Sequence, residues 1–205
     1  MSELSGTKEL IFDTFIEMIS SSGYENVSVR DITNKVGIKP ASLYNHFENK
    51  VLILDYAYEY YSMHQYDNRK PINEIKKMIE TASPGEIVST FFYTFITEDR
   101  KKYVRMILIT KIVYMRLFQD PAANTIFTEN NRNNVEYVID VLKHGIGIGR
   151  IDKDFDLKTF ADILIGSMEI MGIRAFSDPG YVVGQIDQEK RILAMLARLL
   201  STAMK

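Results

Sequence analysis

Residues 28–50, SVRDITNKVGIKPASLYNHFENK, decide how this chain is read. Ser28 suits the N-cap of a helix, where its hydroxyl accepts from a backbone N–H that has no intrahelical partner. Val29, Ile32 and Val36 then recur at helical spacing. Gly37 stands where that helix ends in a left-handed residue, a conformation open to glycine without steric cost. Pro40 fits the first turn of the next helix, where its lacking N–H would have no partner. Leu43 and Phe47 lie four apart and give this second helix a buried face. Two short helices about a glycine-containing turn are the pattern of a helix-turn-helix.

Outward from this stretch the periodicity predicts helices nearly throughout. The first covers residues 5–22, with Ile11, Phe15, Met18 and Ile19 on one face and Gly23 as its stop. A long helix from Glu48 to about Tyr66 carries Leu52, Tyr56, Tyr60 and Met63. Further helices are expected over 72–81, over 100–118 behind an Asp99 cap, from Pro121 to about Lys143, over 156–177 and over 187–204. Residues 145–155 read as a turn region and 177–185 as a loop. Residues 85–97 (GEIVSTFFYTFIT) are β-branched and aromatic, which favours strand; with no second strand to pair with, they are expected to be helical. The 100–118 helix is apolar on most sides and is expected to be deeply buried. The polar middle of the next helix, 129–134, should face solvent or line an interface edge. The fold class is all-α, with about nine or ten helices, far above the usual share of helix.

Composition sets outer bounds. The chain has 205 residues, 46% hydrophobic and 25% charged, enough to bury a substantial core. It contains no cysteine, which excludes disulfides, thiolate metal sites and a cysteine nucleophile. Residues 1–20 lack the pattern of a signal peptide. No stretch reaches the ~18 apolar residues of a membrane span, and Arg105, Lys111 and Arg116 interrupt the apolar segment 103–118. A soluble cytoplasmic protein with no membrane partner is expected. The net charge of −2 argues mildly against nucleic acid. Its distribution reverses that argument: residues 30–50 hold four bases (Arg30, Lys35, Lys39, Lys50) against two acids (Asp31, Glu48). A local basic face can meet phosphates, because screening confines the interaction to about 10 Å.

The order of a first helix, Gly23-Tyr24, then Ser28 to Ile32, Val36 to Ile38, Ser42 to Phe47 and Asn49-Lys50 resembles the TetR family of bacterial transcriptional regulators. The resemblance covers residues 7–54, with Leu43-Tyr44 and His46-Phe47 before a charged helix start as its most specific part. It implies a three-helix DNA-binding domain, residues 1–48, and a larger helical effector-binding and dimerisation domain, 49–205. It implies phosphate contacts from Ser28, Tyr44, His46 and Lys50, and groove contacts from Lys39, Pro40, Ala41 and Ser42, with Asn45 added. Hydroxyls and ammoniums bind phosphates, and the start of a recognition helix reaches base edges. Two positions depart from the family pattern. Thr33 stands where alanine is usual, and Lys39 stands where a capping Ser or Thr is usual.

The three histidines have no metal-ligand spacing. The glycines of 145–149 follow no predicted strand, so they read as a helix stop and turn rather than a phosphate loop. No metal, cofactor or catalytic constellation emerges, and an enzyme is not expected. The tyrosine-rich helix is ordinary core by burial statistics, yet a tyrosine hydroxyl needs a partner when buried. Several such residues in one bundle suit an apolar pocket with a few polar handles, and the resemblance implies one. A small apolar or aromatic effector touching Tyr60, His64, Phe92, Tyr93 and Met106 is expected. The 156–177 helix carries Phe160, Ile163, Leu164, Met168 and Met171, too much apolar surface for a single buried face, beside small Ser167. With Met195 and Leu199 of the last helix it is expected to form a two-fold four-helix dimer interface.

The function expected is a ligand-responsive repressor that leaves a palindromic double-stranded operator when the effector binds. The alternatives are an all-α small-molecule-binding protein or enzyme, or an interaction adaptor, with the N-terminal helices as scaffold.

Overall fold

Gly23 stops the first helix with φ at +84°, and its N–H donates to the Ile19 carbonyl at 3.0 Å. The structure is a computed structural model that describes residues 4–67, 69–92, 99–177 and 181–205, without the side chains of 175, 181–186, 188 and 189. Among them the helices are α1 (Gly6–Ser22), α2 (Val29–Val36), α3 (Pro40–Tyr44), α4 (Lys50–His64), α5 (Ile72–Ile79), α6 (Pro84–Phe92), α7 (Arg100–Arg116), α8 (Pro121–Gly147), α9 (Leu157–Ser177) and α10 (Tyr181–Ser201). No strand occurs among the described residues; Ile151 and Met204 form one isolated antiparallel bridge.

The chain forms two compact units. The first comprises Met1–Asp67 and Thr97–Phe127, the second Asn68–Ile96 and Thr128–Lys205. In the first unit, α1 packs against α2, α4 and α7. Ile11, Phe12, Phe15, Ile16 and Ile19 of α1 meet Ile32, Leu43, Ile53, Ala57, Ile109 and Ile112, all buried. In the second, α10 packs on α6 and α9, around Ile87, Val88, Val141, Leu142, Phe160, Leu164 and Leu200. Gly145 allows a close approach there. A Cβ on it would lie 2.7 Å from Ile151 and 3.1 Å from Ile79, inside normal contact.

Several boundaries and faces differ from expectation for physical reasons. The long helix starts at Lys50, not Glu48, because the Asn49 side chain caps it, accepting from Leu52 N–H at 3.0 Å. The strand-like stretch 85–97 is helical through Phe92 as expected, with Ser83 and Glu86 starting it one residue earlier, at Pro84: Glu86 accepts from Ser83 N–H at 2.7 Å. Residues 93–97 lie outside the described residues. Far from being buried on most sides, α7 buries Arg105, Ile109, Ile112 and Val113 while Tyr103, Val104 and Met115 are exposed. The 145–155 region keeps helix to Gly147 and turns at Gly149, φ +74°. The polar middle of α8 does not simply face solvent, since Asn134 is buried and Asn130 and Asn131 are half-buried. The last helix begins at Tyr181, six residues before Asp187.

Candidate nucleic-acid interface

The turn between α2 and α3 is fixed at both ends by local hydrogen bonds. Ser28 Oγ accepts from Asp31 N–H at 3.2 Å, while the Asp31 carboxylate accepts from Ser28 N–H at 2.8 Å. This reciprocal cap satisfies two donors that the helix start leaves open. The Ser28 hydroxyl and backbone N–H hold the Asp31 carboxyl below its usual range. At the other end, Gly37 is left-handed (φ 79°, ψ 30°), and its N–H donates to the Thr33 carbonyl at 2.9 Å. Thr33, fully buried between the helices, keeps its hydroxyl satisfied by donating to the Arg30 carbonyl at 3.1 Å.

This frame buries one side of α3 and offers the other to solvent. Leu43 is fully buried and Phe47 nearly so. Lys39, Pro40, Ala41, Tyr44, Asn45 and His46 are exposed, and Ser42 is half-exposed. Lys39 is the N-cap residue and gives no side-chain cap bond, so its ammonium stays in solvent. The expected contact residues from 39 to 46 therefore lie together on one short exposed segment.

Lys50 is placed differently. Its Nζ donates to the carbonyls of Tyr24 and Val27 at 2.9 and 3.0 Å, closing the α1–α2 connection. Only one of its three N–H bonds is left for a phosphate. Lys35 pairs with Glu17 at 2.9 Å. Of the four bases in 30–50, Arg30 and Lys39 are exposed and make no ion pair among the described residues.

A family model described as bacterial regulatory proteins, tetR family, matches residues 11–57, which hold this capped pair of helices and the core beneath it. Residues 11–57 of this chain are thus similar to the N-terminal region of the tetR family. The biofilm operon icaADBC negative transcriptional regulator IcaR of Staphylococcus aureus is 34% identical over 105 residues, 48% of this chain and 50% of that protein. The Staphylococcus epidermidis IcaR is 44% identical over 43 residues, 21% and 23% of the two chains. The chain thus spans about half the length, or less, of these curated relatives. Solved structures match over nearly all of it. A TetR transcriptional regulator from Chloroflexus aurantiacus has a TM-score of 0.67 at 18% identity, covering 97% of this chain and 96% of its own. The ketosteroid transcriptional regulator KstR2 of Mycobacterium tuberculosis has a TM-score of 0.64 at 20% identity, covering 99% and 97%. At such identities the likeness is one of fold.

Beneath the tetR-type head lies a feature that the spacing of its motifs does not mark. Arg105 of α7 is buried and donates to Asp13 Oδ1 at 2.6 Å and Oδ2 at 2.9 Å, and to Glu9 Oε1 at 2.6 Å. Lys101 joins the same cluster, 2.7 Å from Glu9. The only signal in the sequence is that Arg105, with Lys111 and Arg116, interrupts the apolar run 103–118.

The residues expected around an effector are divided between the units. Tyr60, His64 and Met106 are in the first; Phe92 is buried in the second, and Tyr93 lies outside the described residues. The Tyr60 ring packs 5.7 Å from Phe12 and 4.5 Å from His64, and His64 Nδ1 is 2.7 Å from the Asp67 carboxylate. Of the residues expected at a dimer interface, Phe160, Leu164 and Met171 are buried in the second unit's own core. Met168 packs partly against that core, and Ser167 is half-exposed. Ile163, Met195 and Leu199 are exposed, as are Ile170 and Ile173 of α9. No cluster fit to hold a metal occurs among the described residues, and no helix there is long and apolar enough to cross a membrane.

Proposed function

We propose that the chain is a cytoplasmic transcriptional repressor that binds a near-palindromic double-stranded operator as a homodimer and is released by a small effector. The observation that carries this reading is the capped helix-turn-helix with its exposed segment from Lys39 to His46. Residues 1–48 act as the DNA-binding domain and 49–205 as the effector-binding and dimerisation domain. Lys39, Pro40, Ala41 and Ser42 enter the major groove, with Asn45 beside them, while Ser28, Tyr44, His46 and the remaining N–H of Lys50 meet phosphates. Two heads on a two-fold axis require half-sites about 34–36 Å apart or a multiple of that spacing.

The dimer is supported by the apolar stripe Ile163, Ile170 and Ile173 on α9 with Met195 and Leu199 on α10. The aromatic supply of α4 supports an effector with apolar or aromatic character. An effector acts only through unequal affinity for the DNA-competent and incompetent states. A coupling of about 1–3 kcal/mol changes operator affinity roughly 5–150-fold.

Selection of bound duplexes from a random pool tests the reading. The expected product is an inverted repeat whose binding is weakened by Tyr44→Ala and Lys39→Ala. Absence of any enriched sequence would overturn it.

A further inference from the structure

The buried face of α8 is apolar at Val138, Val141 and Leu142 and becomes polar one turn earlier. Buried Asn134 accepts from Arg69 and donates to Asn130 Oδ1 at 3.1 Å. Half-buried Asn131 donates from Nδ2 to Glu169 Oε1 of α9 at 2.7 Å. Glu169 stands at the flank of α9, between core residue Ile165 and exposed Ile173. Its half-buried carboxylate thus lies against a surface of side-chain amides.

This half-buried carboxylate has room for further donors. A carboxylate offers about four acceptor sites, and a single amide N–H serves this one. Among the described residues no ammonium, guanidinium or imidazole pairs with it. Arg69, the cation on the same polar face, instead lies 4.4 Å over the Tyr137 ring and bonds Asn134. Burial pushes the Glu169 carboxyl up, and the Asn131 bond only partly offsets this. A half-buried carboxylate with open acceptor sites beside an amide oxygen suits a cation that carries hydrogen-bond donors.

We propose that Glu169 and Asn131 bind the ammonium group of an organic cation, and that this group anchors the effector. The ammonium would donate to the free Glu169 oxygen and to the Asn131 carbonyl oxygen while its charge compensates the carboxylate. The proposal rests on the reading of the second unit as effector-binding.

The test uses the full chain with n-butylammonium chloride as probe, against sodium butyrate and sodium chloride at equal ionic strength. n-Butylammonium should give a saturable rise in melting temperature at concentrations up to about 50 mM, as a ligand of the folded state does; the two controls should not. Glu169→Gln keeps the shape and an acceptor for Asn131, and should fold while losing the rise. Asn131→Ala should weaken it. An equal rise in Glu169→Gln, or none in the wild type, would overturn the site. Operator affinity is measured alongside. A probe that binds at Glu169 and leaves operator affinity unchanged overturns the effector role alone. Failure of the chain to bind any operator would instead overturn the repressor reading, with the cation site still measurable.

Discussion

The Lys50 ammonium lies 3.8 Å above the centroid of the Tyr24 ring and donates to the Tyr24 carbonyl at 2.9 Å. With its second bond, to Val27, the lysine closes the connection from which α2 starts. A lysine that reads as a phosphate ligand is thus also a brace of the head. Lys50→Ala should lower stability by about 1.5–3 kcal/mol, the range for hydrogen bonds to a charged group. Because its remaining N–H meets a phosphate, the salt dependence of operator binding should also become shallower. Denaturant unfolding and a salt titration of the same variant separate the two effects.

Salt dependence should also follow Arg30 and Lys39, the exposed cations of residues 30–50 that make no ion pair among the described residues. Two such cations on each of two heads contribute about −3.6 to the slope of log affinity against log salt, at about −0.9 per phosphate neutralised. Lys39→Ala should make it shallower by about 1.8. Fluorescence anisotropy with a labelled operator over a salt series measures this; an unchanged slope would place the phosphate contacts elsewhere.

Arg105 holds α1 to α7 through Asp13 and Glu9. Arg105 is buried while Asp13 and Glu9 are half-exposed, so water compensates part of the loss and Arg105→Met should cost about 1–3 kcal/mol, the scale of hydrogen bonds to charged groups. Arg105→Lys should recover only part, because an ammonium lacks the planar fork that bonds both Asp13 oxygens. Hydrogen-bonded first by Lys101 and then by Arg105, the Glu9 carboxyl lies below its ordinary 4.5. Its contribution is present above pH 4.5 and is lost as pH falls through the lowered value. Melting curves from neutral to acid pH should show the wild type losing its advantage over Arg105→Met.

Glu169 has the opposite sign. Its folded-state pKa is raised above 4.5 by burial, so the native state binds this proton more tightly than the unfolded chain. Stability then falls as pH rises from 4.5 through the raised value, and the full penalty is present at neutral pH. Glu169→Gln should melt higher than the wild type at neutral pH, with the gap closing below pH 4.5. A pH-independent gap would mean that the carboxylate is not the cause.

Ile163 is 45% exposed and Ile170 50%, two turns apart on one side of α9. Charging both, Ile163→Glu with Ile170→Glu, should shift the chain to monomer in sedimentation and weaken operator binding, with helix content retained. A dimer that survives both charges would move the interface to another surface.

The head was readable because its signals are local. Ser28, Gly37 and Asn49 act on partners three or four residues away, and that is the range over which cap chemistry appears in sequence. The relationships that were not readable span the chain. Lys50 meets Tyr24 from 26 residues away, and Asn131 meets Glu169 from 38. Polarity alone leaves 129–134 facing solvent or lining an interface edge, because it cannot see that Arg69 donates to Asn134 and that Glu169 accepts from Asn131. On α9 the apolar residues run around the helix; only packing distinguishes buried Leu164 from exposed Ile163. The start of α10 at Tyr181 has no capping Ser, Thr, Asp or Asn at residue 180 to mark it, and Asp178-Pro179-Gly180 reads as a loop.

The first unit is assembled from two separated stretches, Met1–Asp67 and Thr97–Phe127, and Arg105 belongs to the later one. Exchange of DNA-reading heads between relatives is therefore not a matter of one continuous cassette. A chimera joined at residue 67 would import Glu9 and Asp13 while keeping whatever the recipient holds opposite them. Where the recipient offers no arginine, two carboxylates would face an apolar helix without their counter-charge. The transferable piece is a head together with a matched α7, and drift at either end of that pairing constrains the other.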